Sequence, residues 1–188
     1  MEYAEIVRGL LPPDLVARVG FFLEQHLEEV DGRGQFSLFT RLQPAMRAIP
    51  QHLNAQPLLF GMLKTEKLYC HWPPMARWVE PGHGLAMWPM HRDTDYNSHI
   101  EGDFLTVWCP LVPIDEACGG LTTEDGPLAP LDPGDVVILS KDCMHASTPN
   151  TSSRPRLSCD FRLFGEGATS TKHYLDLDDD CIVEPVHV

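Results

Sequence analysis

Apolar residues recur at helical spacing from Leu15 through Val16, Val19, Phe22, Leu23 and Leu27 to Val30. That spacing predicts an amphipathic helix over residues 13–30, opened by Pro12-Pro13-Asp14 and closed by Asp31-Gly32-Arg33-Gly34. A second, shorter helix is predicted over 50–63, broken or restarted at Pro57. From Lys67 the rhythm changes to short runs between turns rich in Pro and Gly. These predict strands near 67–71, 85–92, 103–113, 119–123, 127–131, 135–140, 144–147 and 156–164. No linker or repeat divides the chain, so one domain is expected over 1–188. It comprises a helical N-terminal region (1–66), a strand-rich core (67–164) and a C-terminal tail (165–188). Many short strands behind a helical cap fit a mainly β (α+β) fold, a jelly roll or double-stranded β-helix with the helices packed on one sheet.

Two strands carry most of this reading. Val136-Val137-Ile138-Leu139 is apolar at consecutive positions, as in a strand buried on both faces. The preceding Asp132-Pro133-Gly134 suits a turn with Pro second and Gly at the position needing positive φ. In 156–164 the pattern has period two: Arg156, Ser158, Asp160 and Arg162 share one face, and Leu157, Cys159, Phe161 and Leu163 the other. The charged face belongs either in water or inside a barrel that holds a ligand, and the pattern alone leaves both open.

Composition narrows the class. The chain has 188 residues, with 43% hydrophobic and 22% charged, ordinary values for a globular domain. Its net charge of −13 and the absence of clustered Lys and Arg argue against a nucleic-acid partner. No apolar run reaches membrane-spanning length and no leader pattern is visible, so a cytoplasmic protein is expected. The six cysteines lack a Cys-x-x-Cys pair and read as reduced, mostly buried thiols. Asp176, Asp178, Asp179 and Asp180 read as part of a solvated, poorly ordered tail.

The candidate chemistry begins at His91-Arg92-Asp93, answered 52 residues after Asp93 by His145. Ligand-type residues at i and i+2 of an extended segment face the same way. With a distant imidazole they form the donor set of a 2-His-1-carboxylate facial triad for Fe(II). A lone His-x-Asp is common by chance, so the surrounding text matters. It contains Trp108-Cys109-Pro110-Leu111, Gly119-Gly120-Leu121, Gly134-Asp135, and Pro149-Asn150-Thr151-Ser152 followed by Arg154 and Arg156.

In order and spacing these segments, spanning about Leu85 to Leu163, resemble the phytanoyl-CoA dioxygenase-like family of Fe(II)/2-oxoglutarate oxygenases. The resemblance implies Fe(II) held by His91, Asp93 and His145, with 2-oxoglutarate and O₂ as co-substrates. It implies decarboxylation of 2-oxoglutarate to succinate and CO₂ as a small metabolite or natural-product intermediate is hydroxylated. Arg156, 11 residues after His145, matches the family's co-substrate arginine, with Ser158 adding a hydroxyl on the same face. Arg154, before Pro155, reads as a surface or gating residue. Thr106 is a further pocket candidate beside its reading as a buried strand threonine. The carboxylate at Asp93 disfavours halogenation, which in related enzymes needs a small residue there.

Tyr96, Asn97 and Ser98, in the loop after Asp93, and Trp108 are the candidate substrate contacts. Trp72, Trp78 and Trp88 fall near the site-bearing strands. His99 reads as solvent-facing, with a place at the mouth of the site as the alternative, and His26, His52, His71, His83, His173 and His187 read as structural or surface residues. The chain departs from the family where Thr122–Pro127 runs almost directly into the Asp132 turn, trimming segments that usually cover the site. An open pocket for a bulky or carrier-tethered substrate, or a lid made by 165–188 or a partner subunit, is the expectation. A cupin-like metal protein not using 2-oxoglutarate and a non-catalytic binding module are the rivals.

Overall fold

A computed structural model of the chain describes residues 2–83 and 88–185. The beginning of the strand expected at 85–92 and the residue His187 lie outside those limits.

The N-terminal region opens with strand β1 (Ala4–Val7), then helices α1 (Pro13–Glu24), α2 (Leu38–Arg41), α3 (Ala48–Leu53) and α4 (Pro57–Leu63). The strands that follow are β2 (Leu68–His71), β3 (Met75–Val79), β4 (Ile100–Glu101), β5 (Phe104–Pro110), β6 (Leu121–Thr123) and β7 (Gly126–Pro127). The last are β8 (Val136–Ser140), β9 (His145–Ser147), β10 (Arg156–Gly165), β11 (Thr169–Ser170), β12 (Tyr174–Asp176) and β13 (Cys181–Val183).

An eight-stranded antiparallel sheet dominates, in the order β1-β8-β5-β10-β2-β12-β13, with β3 also paired to β10. A three-stranded sheet, β7-β6-β9, lies apart from it, and β4 pairs with β11. Strand β10 is the axis of the fold. One edge runs along β5 from Ser158 to Phe164. The other is shared by β3, over Arg156–Asp160, and β2, over Leu163–Gly165.

The two faces of β10 answer the question its alternation left open. Leu157, Cys159, Phe161 and Leu163 join the main core with Leu15, Val16, Val19 and Leu23 of α1. Removing each such side chain from water stabilises the fold by about 1.5–3 kcal/mol. The polar face, Arg156 to Arg162, lines an internal cavity rather than open solvent. The helices cover only the apolar face, and the polar face is enclosed by the small sheet and the loops.

Several expectations need correction. Helix α1 stops at Glu24, not residue 30, and a single 3-10 turn follows at Leu27–Glu29. After that turn the Asp31 carboxylate accepts from the backbone N–H of Arg33 and Gln35, at 2.8 and 2.9 Å, and the chain turns back so that Val30 bridges Phe36. The break expected at Pro57 is present, with Pro57 opening α4. The strand expected over 127–131 shrinks to β7, because Pro127 and Pro130 have no N–H for a ladder. Leu131 bridges Ile114 instead.

The tail also differs from its expected disorder. β12 pairs with both β2 and β13, and Asp176 is buried. The Asp176 carboxylate accepts from Lys67 Nζ at 2.7 Å and from the N–H groups of Asp178 and Asp179. Gathering those donors gives the acidic run a fixed turn. Among the described residues no helix is long and apolar enough to cross a membrane. All six cysteines are free, five of them buried, and burial pushes the Cys70, Cys109 and Cys159 thiols up.

At the Asp132–Asp135 turn the expected chemistry holds. Asp135 N–H donates to the Asp132 carbonyl at 3.0 Å and Gly134 sits at φ +109°. A Cβ at Gly134 would lie 2.8 Å from the Leu11 carbonyl oxygen, so no side chain fits. The Asp135 carboxylate accepts from Gly9 N–H at 2.9 Å, Asp132 N–H at 2.9 Å and Arg8 at 2.6 Å, fastening β1 to the turn before β8.

Candidate active site

His91 and His145 meet as an antiparallel bridge, each backbone N–H donating to the other's carbonyl at 2.9 and 3.0 Å. Arg92 between His91 and Asp93 is extended (φ −104°, ψ 147°), and its guanidinium turns away to the Asp142 carbonyl at 3.1 Å. Ligand-type atoms of His91, Asp93 and His145 all lie within 4.8 Å of one another and could hold a metal ion.

Each donor is aimed by a neighbour. His91 Nδ1 lies 2.8 Å from the Pro89 carbonyl oxygen and His145 Nδ1 lies 2.9 Å from that of Cys143. A carbonyl only accepts, so each Nδ1 carries the proton and each Nε2 keeps a lone pair for a metal. Asp93 is 1% exposed. Its Oδ2 accepts from Thr106 Oγ1 at 2.5 Å, and its Oδ1 faces Arg162 at 3.3 Å. Asn97 Nδ2 donates to the Asp93 carbonyl at 2.8 Å. Burial pushes the Asp93 carboxyl up, but the Arg162 charge, the Thr106 hydroxyl and His145 outweigh it and hold the group below the usual carboxylate range. Burial lowers His145, leaving a neutral imidazole, the form that binds metal.

The triad opens onto a cavity of about 270 Å³ lined from both sheets, with Thr106, Trp108 and Ser158 from the large one and Leu121, His145 and Ser147 from the small one. Arg156 is 3% exposed. One guanidinium nitrogen donates to the Thr148 carbonyl at 3.0 Å, while its buried Nε has no partner. Ser158 lies two residues along the same face. A buried fork with an unused donor, beside a hydroxyl, is the donor set a carboxylate would satisfy.

The expected residues sort as follows. His91, Asp93, His145, Arg156, Ser158, Tyr96, Asn97 and Trp108 all line the cavity. Thr106 lines it too, but its hydroxyl is committed to Asp93 and orients the carboxylate. Ser98 is exposed and is not among the lining residues, because the chain turns away between the inward-facing Asn97 and His99. Arg154 is at the surface, paired with Asp115 at 2.7 Å. Trp72 belongs to the main core and the partly buried Trp78 packs against it, whereas Trp88 lines the cavity.

His71, expected in a structural or surface role, and His99, expected to face solvent or line the mouth of the site, come together here. Both line the cavity, with His99 Nε2 3.2 Å from His71 Nδ1. Burial first, then neighbouring positive charge, lowers His71 to about 3 and His99 to about 4. Arg77, Asp160, Arg162 and Lys172 complete the charged lining. The inward alternation of 156–162 placed Asp160 and Arg162, whereas Arg77 and the histidine pair had no short-range signal.

No family model matches this chain. It is 26% identical to 1-deoxypentalenic acid 11-beta-hydroxylase of Streptomyces exfoliatus, over 64% of this chain and 54% of that protein. The chain thus spans about half the length of the curated relative it matches. Among solved structures, it resembles the epimerase SnoN in complex with Fe³⁺, alpha ketoglutarate and nogalamycin RO. The TM-score is 0.71 at 18% identity, covering 90% of this chain and 81% of SnoN. It also resembles the non-heme alpha ketoglutarate dependent carbocyclase SnoK from nogalamycin biosynthesis. Here the TM-score is 0.68 at 14% identity, covering 100% and 90%. The chain therefore shares its fold with non-heme alpha-ketoglutarate-dependent enzymes whose reactions include epimerisation and carbocycle formation.

Proposed function

We propose that this chain is an Fe(II)/2-oxoglutarate-dependent dioxygenase on a double-stranded β-helix, of the phytanoyl-CoA dioxygenase-like type. Its reaction is hydroxylation of a small metabolite or natural-product intermediate. The carrying observation is the convergence of His91, Asp93 and His145 with both Nε2 atoms left free, in the cavity that also contains the buried Arg156. That donor set fits Fe(II), and the likeness to enzymes described with iron and alpha ketoglutarate supports the same pair here.

Iron, O₂ and 2-oxoglutarate together supply the oxidation, with succinate and CO₂ leaving. The protein's part is positioning. Pro89 and Cys143 carbonyls fix the imidazole tautomers; Thr106 and Arg162 fix the Asp93 carboxylate, and Asn97 holds the Asp93 backbone carbonyl. Arg156 and Ser158 hold the far carboxylate of 2-oxoglutarate. Trp108, Tyr96 and Asn97 bound the space left for the substrate. The intact Asp93 carboxylate favours hydroxylation over halogenation.

The test is anaerobic addition of Fe(II) and 2-oxoglutarate, following the weak visible charge-transfer band of the ternary complex. Wild type shows the band. His145→Ala loses it together with the iron, and Arg156→Ala loses it while iron remains bound. Wild type holding iron but giving no band overturns the proposal in favour of a metal protein that does not use 2-oxoglutarate.

A further inference from the structure

The cavity is a positive region in a negative protein. Four cations line it, Arg77, Arg156, Arg162 and Lys172, against two carboxylates, Asp93 and Asp160, in a chain of net charge −13. A divalent iron and a dianionic 2-oxoglutarate cancel each other in charge, so the proposed cofactors leave the surplus unchanged. Arg162 is already compensated, by ion pairs to Asp93 and Asp160. Arg156 is assigned to 2-oxoglutarate in the proposed function, on which this inference rests. Arg77 and Lys172 are left over.

Arg77 is the unusual one. It stands opposite Ser158 in the β3–β10 register, so it points into the cavity beside the co-substrate wall. Burial first, then the Arg162 charge, pulls its guanidinium down to about 10, still positive at neutral pH. Among the described residues its guanidinium makes no hydrogen bond and no ion pair. Asp31 acts on it only through longer-range attraction. The side chain is half-buried and its nitrogens remain solvent-accessible, so its donors are free to meet a ligand in the cavity. Beside the attraction to Asp31, the Trp88 ring lies 5.5 Å from the guanidinium. Trp88 packs edge-on to Tyr96 at 5.2 Å and lies 6.1 Å from His91 between ring centroids. An aromatic surface therefore leads from Arg77 to the metal ligands. Lys172 is exposed at the cavity rim, where it draws anions in.

We propose that the prime substrate carries an anionic group, a carboxylate or a phosphate monoester, that Arg77 holds while the substrate's apolar body lies along Trp88 and Tyr96 toward the metal. The anion fixes which carbon faces the iron, so Arg77 is a specificity residue for this site.

The test uses the full chain loaded anaerobically with Fe(II) and saturating 2-oxoglutarate, with the charge-transfer band recorded throughout. Three ring probes of one shape are titrated by equilibrium dialysis: 1-naphthoate, 1-naphthyl phosphate and neutral 1-naphthamide. Wild type is expected to bind at least one anion tenfold or more tighter than the amide, and the tighter anion identifies the group. Arg77→Gln is expected to lose that preference with the band intact, and Arg77→Lys to recover part of it. Equal binding of all three probes with a normal band overturns the inference and leaves the oxygenase reading standing. Loss of the band in Arg77→Gln also overturns it, placing Arg77 in the co-substrate site. Absence of the band in wild type removes the oxygenase reading itself.

Discussion

Strand β10 and the segment from Trp88 to His99 deliver polar side chains to the same cavity by opposite means. β10 is clamped along both edges by β5, β3 and β2, and its apolar face is buried under α1. Its inward residues point where they do because the sheet leaves no other direction. The 88–99 segment has one backbone bridge, at His91, and one 3-10 turn, Asp93–Asp95. Its order comes from side chains: Asp95 on the Arg92 N–H, Asn97 on Asp93, Thr106 reaching across to Asp93. Core packing resides in the first region and two of the three candidate metal ligands, His91 and Asp93, in the second, so mutations in the two should separate.

The largest effect is expected at Phe161, fully buried beneath the polar wall. Phe161→Ala should cost about 3–5 kcal/mol in denaturant unfolding. If it left stability unchanged while weakening metal binding, the two regions would not divide the labour as described. Next comes Thr106→Val, which keeps the shape of the side chain but removes the donor to Asp93. Isothermal titration should show metal affinity falling about 10–100-fold, with the melting temperature nearly unmoved.

The last effect concerns acid and is spread over the pH range. His71 and His99 have folded values of about 3 and about 4, below the ordinary histidine value of 6.5. Below 6.5 the unfolded chain takes up protons that the folded one refuses. Their contribution is therefore complete above that value and is lost as pH falls toward 4 and then 3. The slope is at most about 1.4 kcal/mol per pH unit for each proton. Unfolding free energies between pH 7 and 5 should fall in wild type and fall less steeply in a His71→Gln, His99→Gln double variant. An unchanged slope would show that these buried histidines do not set acid sensitivity.

The same contrast explains what could be read from the chain. The alternation of 156–164 and the apolar block 136–139 are local patterns, and both strands formed where expected. The convergence of His91, Asp93, His145 and Arg156 on one cavity was legible because their spacing sits in a recognisable text. β3 was missed because Pro73-Pro74 interrupts the text before it and Trp78 and Arg77 break any simple alternation. With β3 went Arg77. The His71–His99 pair joins residues 28 apart in sequence on separate elements, a pairing that only tertiary packing creates. The tail misled because Asp176 shares its composition with a disordered acidic run, yet is buried through partners on β2 and its own loop.

The short strand β1 has a consequence for solution behaviour. It covers the outer edge of β8, whose residues Val136 to Ser140 are all buried and four of them apolar. Detached, it would bare a flat aliphatic edge able to pair with the same edge of another molecule. The Asp135 carboxylate, by gripping Gly9 and Arg8, acts as a latch against self-association. Weakening that latch should appear first as turbidity on storage, before any change at the metal site.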